Sequence, residues 1–196
     1  MIRICRYLII LFLIFIFTSA IAWGQLSLGF GGKLQNDLAF TVISLQSAHS
    51  VVELGWSAAD GKIIEPGLSL STFTALYSAL IQLRIPLPIP TSPFVVLGGL
   101  STNTLVSGYL QGHAVNFQLM QEGIQAGAGL SYTDAPISVY GGVLYTFLPL
   151  KPMTLENNGT LHTLTIPVPG TPQWGWNLGM RYTFSLDALL ERFSIL

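Results

Sequence analysis

Charge is what this sequence has least of. Only 9% of its 196 residues are Asp, Glu, Lys or Arg, where an ordinary soluble domain has about 25%. Soluble domains keep charge on their surface, so part of this surface is made for something other than water. The few charges are nearly balanced, with 8 basic residues against 9 acids. That excludes a basic nucleic-acid binder and an acidic disordered chain. Cysteine is almost absent too, Cys5 being the only one. Long apolar runs are limited to "YLIILFLIFIF", Tyr7 to Phe17, with Arg3 and Arg6 before it and the small residues of "AIA", Ala20 to Ala22, after it. That order is the pattern of a signal peptide spanning residues 1–22, cleaved before Trp23. The alternative, a retained anchor, needs about 20 apolar residues in a row. Cys5 precedes the apolar run, so it cannot take a lipid after cleavage, and the mature chain has no disulfide and no thiol chemistry. Cleavage also removes Arg3 and Arg6, leaving an excess of acid over base.

What remains is a chain of short alternating segments punctuated by turn residues, a β architecture. In "GIQAGAGLSY", Ile124, Ala126, Ala128, Leu130 and Tyr132 share one side, with Gln125, Gly127, Gly129 and Ser131 on the other. "ISVYGGVLYTF" follows with Ile137, Val139, Val143, Tyr145 and Phe147 on its apolar side, and "TDAP" between the two predicts a hairpin turn. "LSLGF", "LAFTVISL" and "SVVELGWSA" alternate in the same way, separated by "LQND" and "QSAH". Asp60-Gly61 is a hairpin-type turn signal. The stretch from Gly67 to Pro90 is too long for one strand of ordinary length, which places a break near Tyr77 and Ser78. "SGYLQG", Ser107 to Gly112, separates two further segments. The longest connection runs from about Pro149 to Gln173; loops of that size are uncommon unless functional or exposed. The count is ten antiparallel strands, or eight if the breaks at Tyr77 and at "SGYLQG" are wrong. The strands occupy one domain, residues 23–186.

Which side of each strand is wet follows from what the polar side carries. It is mostly Gly, Ser, Thr, Asn and Gln, with a rare charge, so it suits a narrow enclosed space better than an open surface. The apolar side of the last strand is capped by aromatics, Trp174 and Trp176 at one end and Tyr182 and Phe184 at the other. Aromatic ends on a span of about 9–11 residues match the interfacial girdles of a transmembrane barrel. Hydrocarbon leaves no unpaired strand edge tolerable, so such a sheet must close on itself. By the same alternation Glu53, Arg84 and Arg181 point inward. Isolated lumenal charges are costly, which predicts an ion pair between Glu53 and an arginine, or a cluster of all three.

Within "WNLGMRYTF", Asn177, Gly179, Tyr182 and Phe184 fill a terminal pattern of polar, any, Gly, any, any, apolar or aromatic, any, aromatic. This resembles the assembly signal of bacterial outer-membrane β-barrel proteins. Gln125, Gly127, Leu130 and Tyr132 echo it, as do Tyr140, Gly142, Tyr145 and Phe147. The resemblance implies a Gram-negative-type cell outer membrane as location, with the lipid bilayer and the outer-membrane assembly machinery as partners. Such barrels usually stop at the aromatic, whereas this chain continues with "SLDALLERFSIL". Leu186, Leu189, Leu190 and Phe193 recur there at helical spacing, predicting a short amphipathic helix in a periplasmic tail, residues 187–196.

Catalytic signals are weak. His49, His113 and His162 stand in no metal-type spacing. His49-Ser50, or His113 beside Ser107, would be needed for a Ser/His lipid hydrolase, and no motif supplies the third, orienting group. Nor does "FGGK", Phe30 to Lys33, make a phosphate loop, because no helix follows it. The glycines leave room for aromatic rings or for barrel curvature. The residues therefore point to a closed, monomeric transmembrane barrel that is not an enzyme and uses no cofactor, with a structural, adhesive or narrow-channel role. A soluble periplasmic β-barrel or sandwich around a small apolar ligand is the competing class.

Overall fold

A computed structural model describes residues 26–147, 153–156, 163–166 and 173–186, apart from residues 66, 86 and 111. The expected signal peptide and the tail expected to be helical lie outside the described residues. Eight strands pair antiparallel into a closed barrel: β1 (Ser27–Gln35), β2 (Leu38–Gln46), β3 (Ser50–Glu65), β4 (Leu68–Arg84), β5 (Thr91–Leu110), β6 (His113–Asp134), β7 (Ile137–Thr146) and β10 (Trp174–Ser185). The first strand closes against the last, from Ser27 opposite Ser185 to Gln35 opposite Asn177. Two short strands inside the long connection, β8 (Met153–Glu156) and β9 (Thr163–Ile166), pair only with each other.

A ten-strand barrel is thus corrected to eight: the chain does reverse within "SGYLQG", but the segments on either side of Gln121 and Glu122 are one strand, β6, and those on either side of Tyr77 are one strand, β4. The break expected near Tyr77 and Ser78 does not occur, because both residues satisfy the alternation of one continuous strand. Tyr77 faces out at 52% exposure, while Ser78 is buried in the lumen. Each is paired on both sides, Tyr77 with Trp56 and Ser101, Ser78 with Gly55 and Leu100. The Asp60-Gly61 turn is corrected as well. Both residues sit in register inside β3, opposite Phe73 and Thr72, and the chain reverses only after Glu65, where Gly67 takes φ 78°. The left-handed conformation needed there suits glycine, which lacks a Cβ. Asn36, φ 54°, serves the β1–β2 turn in the same way.

The strands are very unequal. β1, β2 and β7 have 9 or 10 residues, whereas β3 to β6 have 16, 17, 20 and 22. At the end where Ser27 meets Ser185 the rim is even, closed by the turns after β2, β4 and β6. At the other end the sheet is lopsided. Pairing of β2 with β3 stops at Thr41 opposite Trp56, and pairing of β6 with β7 stops at Gln125 opposite Thr146. The four long strands continue past those points, still paired with one another as far as Glu65 opposite Leu68 and Leu110 opposite His113. A four-stranded sheet therefore stands clear of the barrel on one side.

Candidate functional site

Two faces of the barrel carry chemistry, and alternation assigns every strand residue to one of them. The outer face over the barrel proper holds Phe30 and Leu34 on β1, Leu54 and Trp56 on β3, Val95 and Leu97 on β5, and Leu178 and Met180 on β10, all between 44% and 58% exposed. The outward positions of this zone are uncharged on every strand. Of the charged outward residues, Asp60, Lys62 and Glu122 lie on the sheet that stands clear of the barrel, and Asp134 ends β6 at the even rim. Aromatics gather at the two borders. At one, the Tyr145 ring packs edge-on against Trp174 and Phe147, with centroids 4.8 and 5.0 Å away, and Trp176 is close by on β10. At the other, Phe184 meets Tyr182 at 4.8 Å and Phe30 at 6.3 Å. From Trp174 to Phe184 is about 33 Å along a strand at about 3.3 Å per residue, or about 25 Å along the axis of a barrel tilted by about 40°. That is about the height of the apolar band of a membrane barrel.

The inner face is packed shut. Glu53 lies at its middle with no exposed surface, and four side chains from four other strands converge on it or on its neighbours. Lys33 Nζ stands 3.0 Å from Glu53 Oε1 and donates to Ser78 Oγ at 2.7 Å. The Tyr140 hydroxyl donates to Glu53 Oε2. Arg181 Nη1 lies 3.8 Å from the same oxygen, its Nη2 donates to Gln82 Oε1 at 3.0 Å, and its guanidinium stacks 4.1 Å from the centre of the Tyr140 ring. Lys33, Gln82, Tyr140 and Arg181 are each at most 2% exposed. Around this polar centre the lumen mixes buried hydroxyl and amide side chains with two apolar clusters. Leu80, Phe94, Val96, Tyr140 and Leu144 form one buried cluster, and Phe40, Val42, Leu76 and Leu100 form another. A second polar layer links Gln35, Gln125 and Thr146 by hydrogen bonds of 3.1 and 3.2 Å.

The structure brings Glu53 and Arg181 together and leaves Arg84 outside the ion pair. Arg84 ends β4, half-buried, near enough to Arg181 for the like charges to repel. Of the terminal motif, Asn177 and Gly179 face the lumen, while Tyr182 and Phe184 stand in the outer aromatic border. A Cβ on Gly179 would collide with the Tyr140 ring, so the glycine is what admits that ring. Sequence reasoning missed Lys33, Gln82 and Tyr140. For Lys33 the signal was present: it shares parity with Gly29 and Gly31, opposite Phe30 and Leu34. Tyr140 shares parity with Gly142, opposite Val139 and Val143, but one aromatic on the polar side of a strand reads as noise. His49 and His113 lie at opposite ends of the barrel, in the turn after β2 and at the start of β6, and the Ser50 hydroxyl is engaged by Ser47 within its own turn. His162 lies outside the described residues.

No protein-family model matches this sequence, and no curated protein does. Among solved structures it is similar to the N-terminal β-barrel domain of Pseudomonas aeruginosa OprF, at 13% identity and a TM-score of 0.44, covering 82% of this chain and 97% of that one. It is also similar to Ail, the attachment invasion locus protein of Yersinia pestis, at 12% identity and 0.47, with 82% and 97% covered. A major outer membrane protein from Thermus thermophilus shows 16% identity and 0.44, with 82% and 98% covered. These structural neighbours are bacterial outer-membrane β-barrel proteins.

Proposed function

We propose that this chain is a monomeric outer-membrane β-barrel that does not conduct, and that it acts by contact through the sheet standing beyond the bilayer. The observation that carries the membrane reading is the outer face. It is uncharged on all eight strands between two aromatic borders, and charge appears only where the long strands leave the band. A soluble barrel would have to expose those leucines, valines and tryptophans to water, a patch far larger than soluble monomers tolerate. The lipid bilayer is then the partner of the band, and the assembly machinery reads Asn177, Gly179, Tyr182 and Phe184 at the terminal strand.

The contact role rests on the contrast between lumen and outer sheet. Lys33, Glu53, Tyr140 and Arg181 meet across the barrel at one level, each at most 2% exposed, which supports a closed lumen. The long strands instead continue beyond the bilayer, carrying Asp60, Lys62, Ser71, Phe73, Leu105 and Ser107 around one open depression of the outer sheet. Reconstitution in planar bilayers tests the first half: a silent membrane is expected, and regular single-channel steps would replace the contact role with a channel. Fractionation tests the second half of the premise. The protein should stay with outer membranes through carbonate extraction, and release by osmotic shock would return it to the soluble class.

A further inference from the structure

The lumenal charges do not balance. Among the described residues, the inward-facing charges of the barrel proper are Lys33, Arg84 and Arg181 against Glu53 alone, while Asp134 at the even rim faces out. Glu53 already serves Lys33 through one oxygen and Tyr140 and Arg181 through the other. Arg84 has no carboxylate partner among the described residues. Most of the nitrogen donors left over lie on three neighbouring side chains. Arg181 Nε and Nη1, Arg84 Nε and Nη2, and Gln82 Nε2 are all buried and make no hydrogen bond with any protein atom. Gln82 and Arg84 are successive inward residues of β4, and Gln82 is the side chain to which Arg181 is bonded. Three neighbouring side chains, two of them positively charged, thus hold buried N–H groups without a hydrogen-bond acceptor on the even-rim side of Glu53. Arg181 itself has no exposed surface.

Buried charges persist when they are paired, and buried N–H groups when they have an acceptor. Water can accept from an amide, but it leaves two like charges uncompensated. An anion does both, and guanidinium groups in a water-poor site are the preferred donors to one. We infer that Gln82, Arg84 and Arg181 form a binding site for a small inorganic anion of chloride size at the even-rim end of the lumen. The anion supplies the second negative charge of the cluster, and Glu53 supplies the first. The site is independent of the membrane and contact readings, since it concerns the lumen alone.

The test uses the refolded full-length barrel in a nonionic detergent, melted in sodium gluconate, chloride and bromide at one ionic strength. Chloride and bromide should raise the melting temperature over gluconate by about 3–5 °C, saturably. In Arg84→Gln that dependence should be lost, while Arg84→Lys, which keeps the charge, should retain part of it. Crystals grown in bromide should show an anomalous peak within hydrogen-bond reach of Arg84 and Arg181. Equal melting in all three salts, a salt dependence unchanged in Arg84→Gln, or anomalous peaks confined to the protein surface would each overturn the site. If Arg84→Gln fails to fold, the bromide position in the unmodified protein decides alone.

Discussion

Glu53 holds Lys33, Tyr140 and Arg181 on one carboxylate, and the whole arrangement is sealed from water. Removing the carboxylate charge leaves two buried cations without it, which costs about 3–5 kcal/mol in buried pairs of this type. Glu53→Gln should therefore melt well below the unmodified barrel in detergent. The double variant Lys33→Met/Glu53→Gln should recover part of the loss, because one stranded cation is gone. Independence of the two substitutions would mean that the contact between Lys33 and Glu53 carries no coupling energy. Gly179 bears on the same cluster from β10. Its missing side chain is the space taken by the Tyr140 ring, so Gly179→Ala should push that ring off Glu53 and destabilise the barrel by about 1–3 kcal/mol. Urea midpoints give the comparison, with Gly32→Ala as control, since a Cβ there meets nothing closer than the Phe40 carbonyl at 3.8 Å. At this scale the sequence exposes the inward charges but not their partners. Period two tells which side Glu53 and Arg181 share. Which inward residues meet across the lumen depends on the stagger of strands far apart in sequence, 87 positions for Glu53 and Tyr140, and no local pattern encodes that.

Strand boundaries show the same division. The turns at Asn36-Asp37 and at Ala135-Pro136 stand where polar and turn-forming residues interrupt clean alternation. β4 and β5 are harder to delimit, because their inward residues are apolar as well. Leu76, Leu80, Val96 and Leu100 face the lumen while Tyr77, Ile81, Val95 and Leu97 face out, so both parities look alike and a break can be read where none exists. The unusual length of β3 to β6 was hidden for a related reason: a strand that leaves the bilayer keeps its alternation, and only the return of charge at Asp60, Lys62 and Glu122 marks the crossing. If the outer sheet is a contact surface and not part of the folding core, replacing residues 105–118 with a two-residue turn should leave a barrel that still melts cooperatively and still shifts in unheated gels. The same barrel on cells should lose adhesion or partner binding. Loss of folding instead would make the β5–β6 hairpin a structural element.

The whole molecule inverts the usual arrangement of a soluble protein. The outside of the barrel is made of what a soluble protein keeps inside, and the lumen carries the buried ion cluster. Closure follows from that, since a sheet in hydrocarbon has no tolerable edge, and β1 pairs with β10 along its full length. The scarcity of charge in the sequence was the legible sign of this inversion. The measurement that tests it most directly is site-directed spin labelling along β10 in liposomes, reading accessibility to oxygen dissolved in lipid and to a water-soluble nickel chelate. Labels at Leu178 and Met180 should be open to oxygen and shielded from nickel, deepest near the middle of the strand, whereas labels at Ser107 and Gln118 on the outer sheet should show the reverse. Nickel accessibility at Leu178 and Met180 equal to that at Ser107 would contradict a lipid-facing band and with it the membrane barrel.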